Sequence, residues 1–190
     1  MTASTLDSKP SNEEEPFDAS FHHVYRTELG YVLSTLRRLG VRPADIEDVA
    51  HDVFVAVYRH ITDYDPSRPV RPWLFGFAYR IARDHRKLAR HRHEVGELPT
   101  EPPASGAQPD AALDEERLRR LLLQVLDALD FEKRSIIVMH DVDGMPVPEI
   151  AKLLEVPTNT AYSRLRLARA AFEKTLAKLD GNRREEGAHG

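Results

Sequence analysis

Residues 97–113, ELPTEPPASGAQPDAAL, hold four prolines and a glycine among small and polar residues. Proline removes a backbone donor and breaks helix interiors and central strands, and a stretch with so little to bury cannot offset the entropy of ordering it. This segment therefore divides the 190-residue chain into two pieces, residues 17–96 and 114–180, each needing its own apolar contacts. The ends, 1–16 and 181–190, are polar and charged and are expected to be disordered tails, and 97–113 is expected to be a flexible linker.

Within both pieces the apolar residues recur at helical spacing. Val24, Leu29, Val32, Leu33, Leu36 and Leu39 form a stripe that stops at Gly40. Pro43 and Asp45 open a second helix with Ile46, Val49, Ala50, Val53 and Val57 inward, and after TDYDPSRP a third begins near Arg71 and packs Leu74, Phe77, Ala78, Ile81 and Leu88. The second piece starts with a leucine-striped helix, DEERLRRLLLQVLDALD, and continues through Ile136, Ile137 and Met139. Then PVPEIAKLLEVPTNTAYSRLRLARAAFEKTL places Ile150, Ala151 and Leu154 on a short helix, turns at Glu155 to Pro157, and restarts with Thr158 or its neighbour as the N-cap. In the last helix Ala161, Leu165, Ala168 and Phe172 face inward. No segment alternates as a strand does, so the fold class is all-α, two helical domains joined by a flexible linker.

Charge is distributed unevenly. The net charge is -4, yet residues 21–96 carry 13 bases against 9 acids, and SRPVRPWLFGFAYRIARDHRKLARHRH carries eight bases, one Asp and the only tryptophan, Trp73. Electrostatics acts locally, so a basic stripe is a nucleic-acid footprint even in an acidic chain. Arg80, Arg83, Lys87 and Arg90 recur at steps of three and four beside the apolar stripe, a ridge suited to phosphates. Aromatic faces beside such a ridge stack unpaired bases, and Trp73 and Tyr79 fit that role as well as they fit an ordinary core. The last two helices have the plan of a helix-turn-helix, whose second helix lays its first turns in the major groove. A helical hairpin with a solvated basic face has the same pattern.

Other functions find less support in the sequence. Zero cysteines exclude disulfides and thiolate chemistry. His91 and His93 have no third ligand at useful spacing, and neither a nucleophile with its base nor a phosphate-binding glycine loop is present. No cofactor, metal, small-molecule substrate or enzymatic activity is expected. The apolar runs are too short to span a bilayer and residues 1–16 too acidic for a signal peptide, so no membrane insertion and a cytoplasmic location are expected.

The segment DIEDVAHDVFVAVYRHITDYDPSRPVRPWLFGFAYRIARDHRKLARHR resembles region 2 of the sigma-70 family of bacterial transcription initiation factors, and DGMPVPEIAKLLEVPTNTAYSRLRLARAAF resembles its region 4. With a proline-rich linker where the intervening regions would lie, the chain is similar to the extracytoplasmic-function (ECF) sigma factors. The resemblance implies a region 2 helical bundle that docks on core RNA polymerase and opens the minus-ten promoter element, and a region 4 helix-turn-helix that reads the minus-thirty-five element. It implies polymerase contacts at Asp45, Asp48, His51 and Asp52. It implies minus-ten DNA contacts at Arg71, Trp73, Tyr79, Arg80, Arg83, Lys87 and Arg90, and minus-thirty-five contacts at Thr158, Asn159, Tyr162, Ser163, Arg164 and Arg166. Its implied partners are core RNA polymerase, promoter DNA and an anti-sigma factor. Several positions depart from the family pattern. His51 stands for a common Gln, Tyr58 for Trp, Arg80 for Asn and Asn159 for Gly, while Tyr162 and Leu167 replace basic residues. A duplex-operator regulator is the competing reading; it leaves the aromatic and basic stretch of the first piece unused.

Overall fold

The computed structural model describes the backbone of residues 16–94 and 110–187, and the side chains of 20–88 and 115–179. The expected linker and tails otherwise lie outside the described residues. The helices are α1 (Pro16–Arg38), α2 (Ile46–Arg59), α3 (Val70–Glu94), α4 (Asp110–Asp127), α5 (Phe131–Ile137, continued by a π turn, Val138–Val142), α6 (Val147–Leu153) and α7 (Thr158–Gly187). Among the described residues there is no strand. Helix α4 begins within the segment read as linker, and α7 continues past residue 180.

In the first piece α1, α2 and α3 pack pairwise. Val32, Leu36, Leu39, Val53, Val57, Leu74 and Phe75 are almost wholly buried between them, each worth about 1.5–3 kcal/mol of apolar transfer. The α1 stop is read correctly from Gly40. The Gly40 N–H donates to the Arg37 carbonyl at 3.0 Å and Val41 N–H to Leu36 at 3.0 Å, a Schellman cap with Gly40 at φ +80°. Leu88 corrects the expected stripe, being 60% exposed. The buried line of α3 runs Leu74, Ala78, Ala82, and at 3.6 residues per turn Leu88 lies roughly 120° round from Ala82.

In the second piece α7 packs on α4, α5 and α6. Helix α6 ends in a second Schellman cap, Glu155 N–H to Lys152 carbonyl at 3.2 Å and Val156 N–H to Ala151 at 3.0 Å. Here a non-glycine, Glu155, takes the left-handed position at φ 55°, where a Cβ carries about 1–2 kcal/mol of strain. Of Thr158 and its neighbour, the neighbour holds the N-cap. The carbonyl of Pro157 accepts from the N–H groups of Thr160 and Ala161 at 2.9 and 3.1 Å, so Pro157 holds the cap position and Thr158 is the first helical residue. Proline serves there because its fixed φ suits the turn into a helix.

The two pieces also pack on each other. One core cluster runs from Leu39, Val41 and Ala82 of the first to Phe131, Met139 and Met145 of the second. Arg134 of α5 is 2% exposed; its Nε donates to the Leu126 carbonyl at 2.7 Å and Nη2 lies 3.0 Å from Asp127. Its Nη1 finds no protein acceptor, and the guanidinium rests on Gly40, where a side chain would collide with it. Burial pushes this guanidinium below its ordinary range, and Asp127 opposes that shift.

Candidate nucleic-acid interface

Helix α3 carries its polar and aromatic groups on two faces. Arg80, Arg83 and Lys87 are exposed, while Tyr79 is 8% exposed. Arg90 lies on α3, but its side chain, like those of His91 and His93, is outside those described. The Arg83 guanidinium lies 5.7 Å from the Tyr79 ring centroid and 3.5 Å from Asp84. At the start of α3, Arg71 binds Glu28 at 2.9 Å and lies 5.0 Å over the Tyr31 ring, and the Glu28 bond pushes its guanidinium up.

Trp73 is half-buried. It packs on Tyr64 with centroids 5.0 Å apart and meets Phe77 edge-on at 4.9 Å; Phe77 in turn lies 5.8 Å from His60. Tyr64 is anchored by its hydroxyl, which donates to the Arg68 carbonyl at 2.6 Å. Trp73 is legible in the sequence, whereas Tyr64 and His60 belong to the α2–α3 connection and join the aromatic row only when that connection folds back. The aromatic and basic spacing of DYDPSRPVRPW was the available signal. Phe75, by contrast, is fully buried and belongs to the core.

On α2, Asp48, His51 and Asp52 are exposed, with the two carboxylates one turn apart on an acidic ridge. Asp45 stands apart from them. It is half-buried, 2.8 Å from Arg42 and 3.5 Å from His85.

On α7, Thr158, Asn159, Tyr162, Ser163 and Arg166 are exposed, and Tyr162 and Leu167 are 54% and 55% exposed. Ala161, Leu165 and Ala168 are buried, so the outward face of the second helix of the helix-turn-helix is the one predicted. Arg164 differs. It lies 3.8 Å from Glu132 and lines, with Tyr79, Arg83 and Lys87, a cleft of about 550 Å³ between α3 and the start of α5. Arg169 is held by the Asp141 carboxylate, with Nε 3.1 Å from Oδ2, which pushes its guanidinium up.

A second inter-piece site lies at Asp143. Its carboxylate accepts from the Tyr31 hydroxyl at 2.6 Å and lies 3.5 Å from Arg38. Burial pushes the Asp143 carboxyl above its usual range, while the Tyr31 bond and the cations Arg38 and Arg71 oppose it. Burial and the neighbouring carboxylate push the Tyr31 hydroxyl up as well. A carboxyl with a raised folded pKa holds its proton more tightly folded than unfolded, so its contribution is most favourable below the ordinary Asp range and is lost as pH rises through the raised value. Thermal melts of the chain and of Asp143→Asn, compared from roughly pH 4 to 7, should converge at neutral pH or favour the variant there. A wild-type advantage that grows with pH would contradict this sign.

Among the described residues no group of His, Cys, Asp and Glu is placed to hold a metal ion, and no helix is long and apolar enough to cross a membrane. A basic, aromatic-edged helix in the three-helix piece and a helix-turn-helix that ends the four-helix piece give one chain two candidate nucleic-acid surfaces.

Comparison with known proteins agrees. Residues 24–92 match the family model for Sigma-70 region 2 and residues 119–172 that for Sigma-70, region 4. The chain is 32% identical over 148 residues to the RNA polymerase sigma factor NccH of Alcaligenes xylosoxydans xylosoxydans, covering 74% of this chain and 77% of that one. It is 33% identical over 146 residues to the ECF RNA polymerase sigma factor SigL of Mycobacterium tuberculosis, covering 75% and 80%. Its fold is similar to that of CnrH solved in complex with the cytosolic domain of CnrY (TM-score 0.56, 27% identity, 85% of this chain and 88% of that one). It also shares the fold of the sigma factor RpoE in complex with the anti-sigma factor NepR from Bartonella quintana (TM-score 0.62, 17% identity, 83% and 96%). The chain belongs to the sigma-70 family, and within it to the ECF RNA polymerase sigma factors.

Proposed function

We propose that the chain binds core RNA polymerase, recognises the minus-ten and minus-thirty-five promoter elements through its two pieces, and promotes strand opening at the first. The observation that carries this reading is the pairing, in one chain and in family order, of the Trp73–Tyr64 aromatic row beside exposed Arg80, Arg83 and Lys87 with the outward face of α7. Cations hold the backbone and aromatic faces take freed bases, which offsets the few kcal/mol that unstacking a base costs. Asn159, Tyr162, Ser163 and Arg166 are the side chains for duplex bases and phosphates. Asp48, His51 and Asp52 are the polymerase-docking ridge, with Asp45 as its anchor to Arg42. Arg164 bridges the two functions, since its reach includes both α7 and the cleft.

An anti-sigma partner fits the same reading. Between the end of α1, α4 and α7 runs a groove of about 600 Å³, floored by Leu122, Phe172 and Leu176 and edged by Arg37 and Arg38. Beside it Leu118 is 68% exposed. An amphipathic helix with an acidic rim would complement it.

The test is co-purification of the tagged chain with core polymerase, then transcription in vitro from genomic fragments with and without it. Discrete new start sites are expected. Binding to duplex operators with no polymerase association would replace this reading with that of a conventional regulator. Within it, Trp73→Ala should leave closed-complex affinity within about threefold and lower permanganate-detected opening at least tenfold, since one stacked base is worth about 1–3 kcal/mol. Equal losses in both assays would remove Trp73 from strand opening.

A further inference from the structure

Helix α7 carries a large aliphatic side chain within the surface assigned to duplex DNA. Ser163, Leu167 and Ala170 recur at steps of four and three, and all are exposed, so they form one ridge along the helix. At about 100° per residue, Arg166 stands to one side of Leu167 and Arg164 to the other. Arg164 lies 3.8 Å from Glu132, which holds that side of the ridge. Leu167 is 55% exposed, while Leu165 and Ala168 beside it in the chain are buried. The ridge begins with a hydroxyl, continues with an isobutyl and a methyl group, and carries its charges at the edges.

A single exposed leucine on an ordinary surface needs no partner. Leu167 differs because docking α7 in the major groove, with Ser163 one turn before it and an arginine on either side, takes it out of water. Against a phosphate, or against the base atoms that donate and accept hydrogen bonds, its burial strips those polar groups of water and returns nothing. The apolar group on the major-groove edge of the base pairs is the 5-methyl of thymine. We propose that Leu167 is a specificity-determining residue that reads the 5-methyl group of a thymine in the upstream promoter element, with the Ala170 methyl extending the same apolar strip. The proposal rests on the assignment of α7 to the minus-thirty-five element. A helix rises about 1.5 Å per residue and B-DNA about 3.4 Å per base pair, so this thymine lies within about two base pairs of the position that Ser163 reads.

Deoxyuridine keeps the hydrogen-bonding groups of thymidine and lacks only the methyl, so it isolates the contact. Promoter fragments in which each thymine of the upstream element, on either strand, is replaced in turn by deoxyuridine should bind holoenzyme about fourfold more weakly at one or two positions, the effect of exposing one buried methyl-sized group. Elsewhere the two should bind alike. Leu167→Ala should bind the thymine and deoxyuridine forms equally at every position, and Leu167→Met should keep the preference. The ratio between two templates is not moved by a variant's folded fraction, or by a change at the cleft that Leu167 also edges, since either scales both affinities together. No sensitive position in the unmodified chain, or a sensitivity that survives in Leu167→Ala, overturns the proposal. A chain that does not associate with polymerase overturns the initiation reading instead. The same comparison on duplex DNA selected by the free chain then decides Leu167, because a helix-turn-helix regulator lays the same helix in the major groove.

Discussion

Gly40→Ala should lower the melting temperature by about 10 °C, several times the loss from Gly144→Ala. Both glycines have positive φ, +80° and +69°, and a Cβ in that region carries about 1–2 kcal/mol of strain. They differ in surroundings. Nothing lies within 4 Å of a Cβ built on Gly144, whereas one on Gly40 runs into the guanidinium groups of Arg134 and Arg86. Arg134 is 2% exposed and tied to the Leu126 carbonyl and Asp127, so moving it disturbs charge-assisted bonds worth about 1.5–3 kcal/mol each. Strain and the loss of one such bond come to about 2.5–5 kcal/mol for Gly40→Ala, against about 1–2 kcal/mol for Gly144→Ala, at roughly 2–4 °C per kcal/mol for a chain of this size. Calorimetry of both variants checks it. Equal losses would mean that Arg134 does not rest on Gly40 in solution, and the inter-piece packing would fall with it.

Arg83→Ala/Lys87→Ala should weaken promoter binding on every sequence and flatten its salt dependence. Each phosphate contact contributes about 0.9 to the slope of log affinity against log salt on duplex DNA and about 0.7 on single strands, so removing two lowers the slope by about 1.4–1.8. The exposed Arg83–Asp84 pair at 3.5 Å does not withhold Arg83 from DNA, because such surface pairs are worth about 0–1 kcal/mol. Ser163→Ala is the contrast. Ser163 stands on the outward face of α7, and its loss should change preference within the upstream element with little effect on the slope. The measurement is holoenzyme affinity for several promoters across a salt series. An unchanged slope in the double variant would take Arg83 and Lys87 off the phosphate backbone.

Much of this was legible in order along the chain. Gly40 as a stop, the apolar lines of α1, α2 and α7, and the outward set on α7 all follow from local periodicity and turn chemistry, which act within a few residues. Errors came where a neighbouring element decides. Leu88 belongs to the heptad-like sequence pattern yet sits off the buried line of α3. Tyr64 and His60 entered the aromatic row only through the fold of the α2–α3 connection.

The sequence by itself determined the helical class, the basic and aromatic character of α3, and the family. These depend on spacing, composition and motif order, which need no knowledge of what lies across the core. Only the tertiary structure decided that the two pieces share one core. It also decided that Arg134 is buried on Gly40, that Arg164 turns toward Glu132, and that Tyr79 lies under Phe131. Those contacts join residues tens of positions apart through a buried guanidinium packed on a glycine, a partly exposed ion pair and ring stacking, and no local pattern records which face of one piece will meet which face of the other.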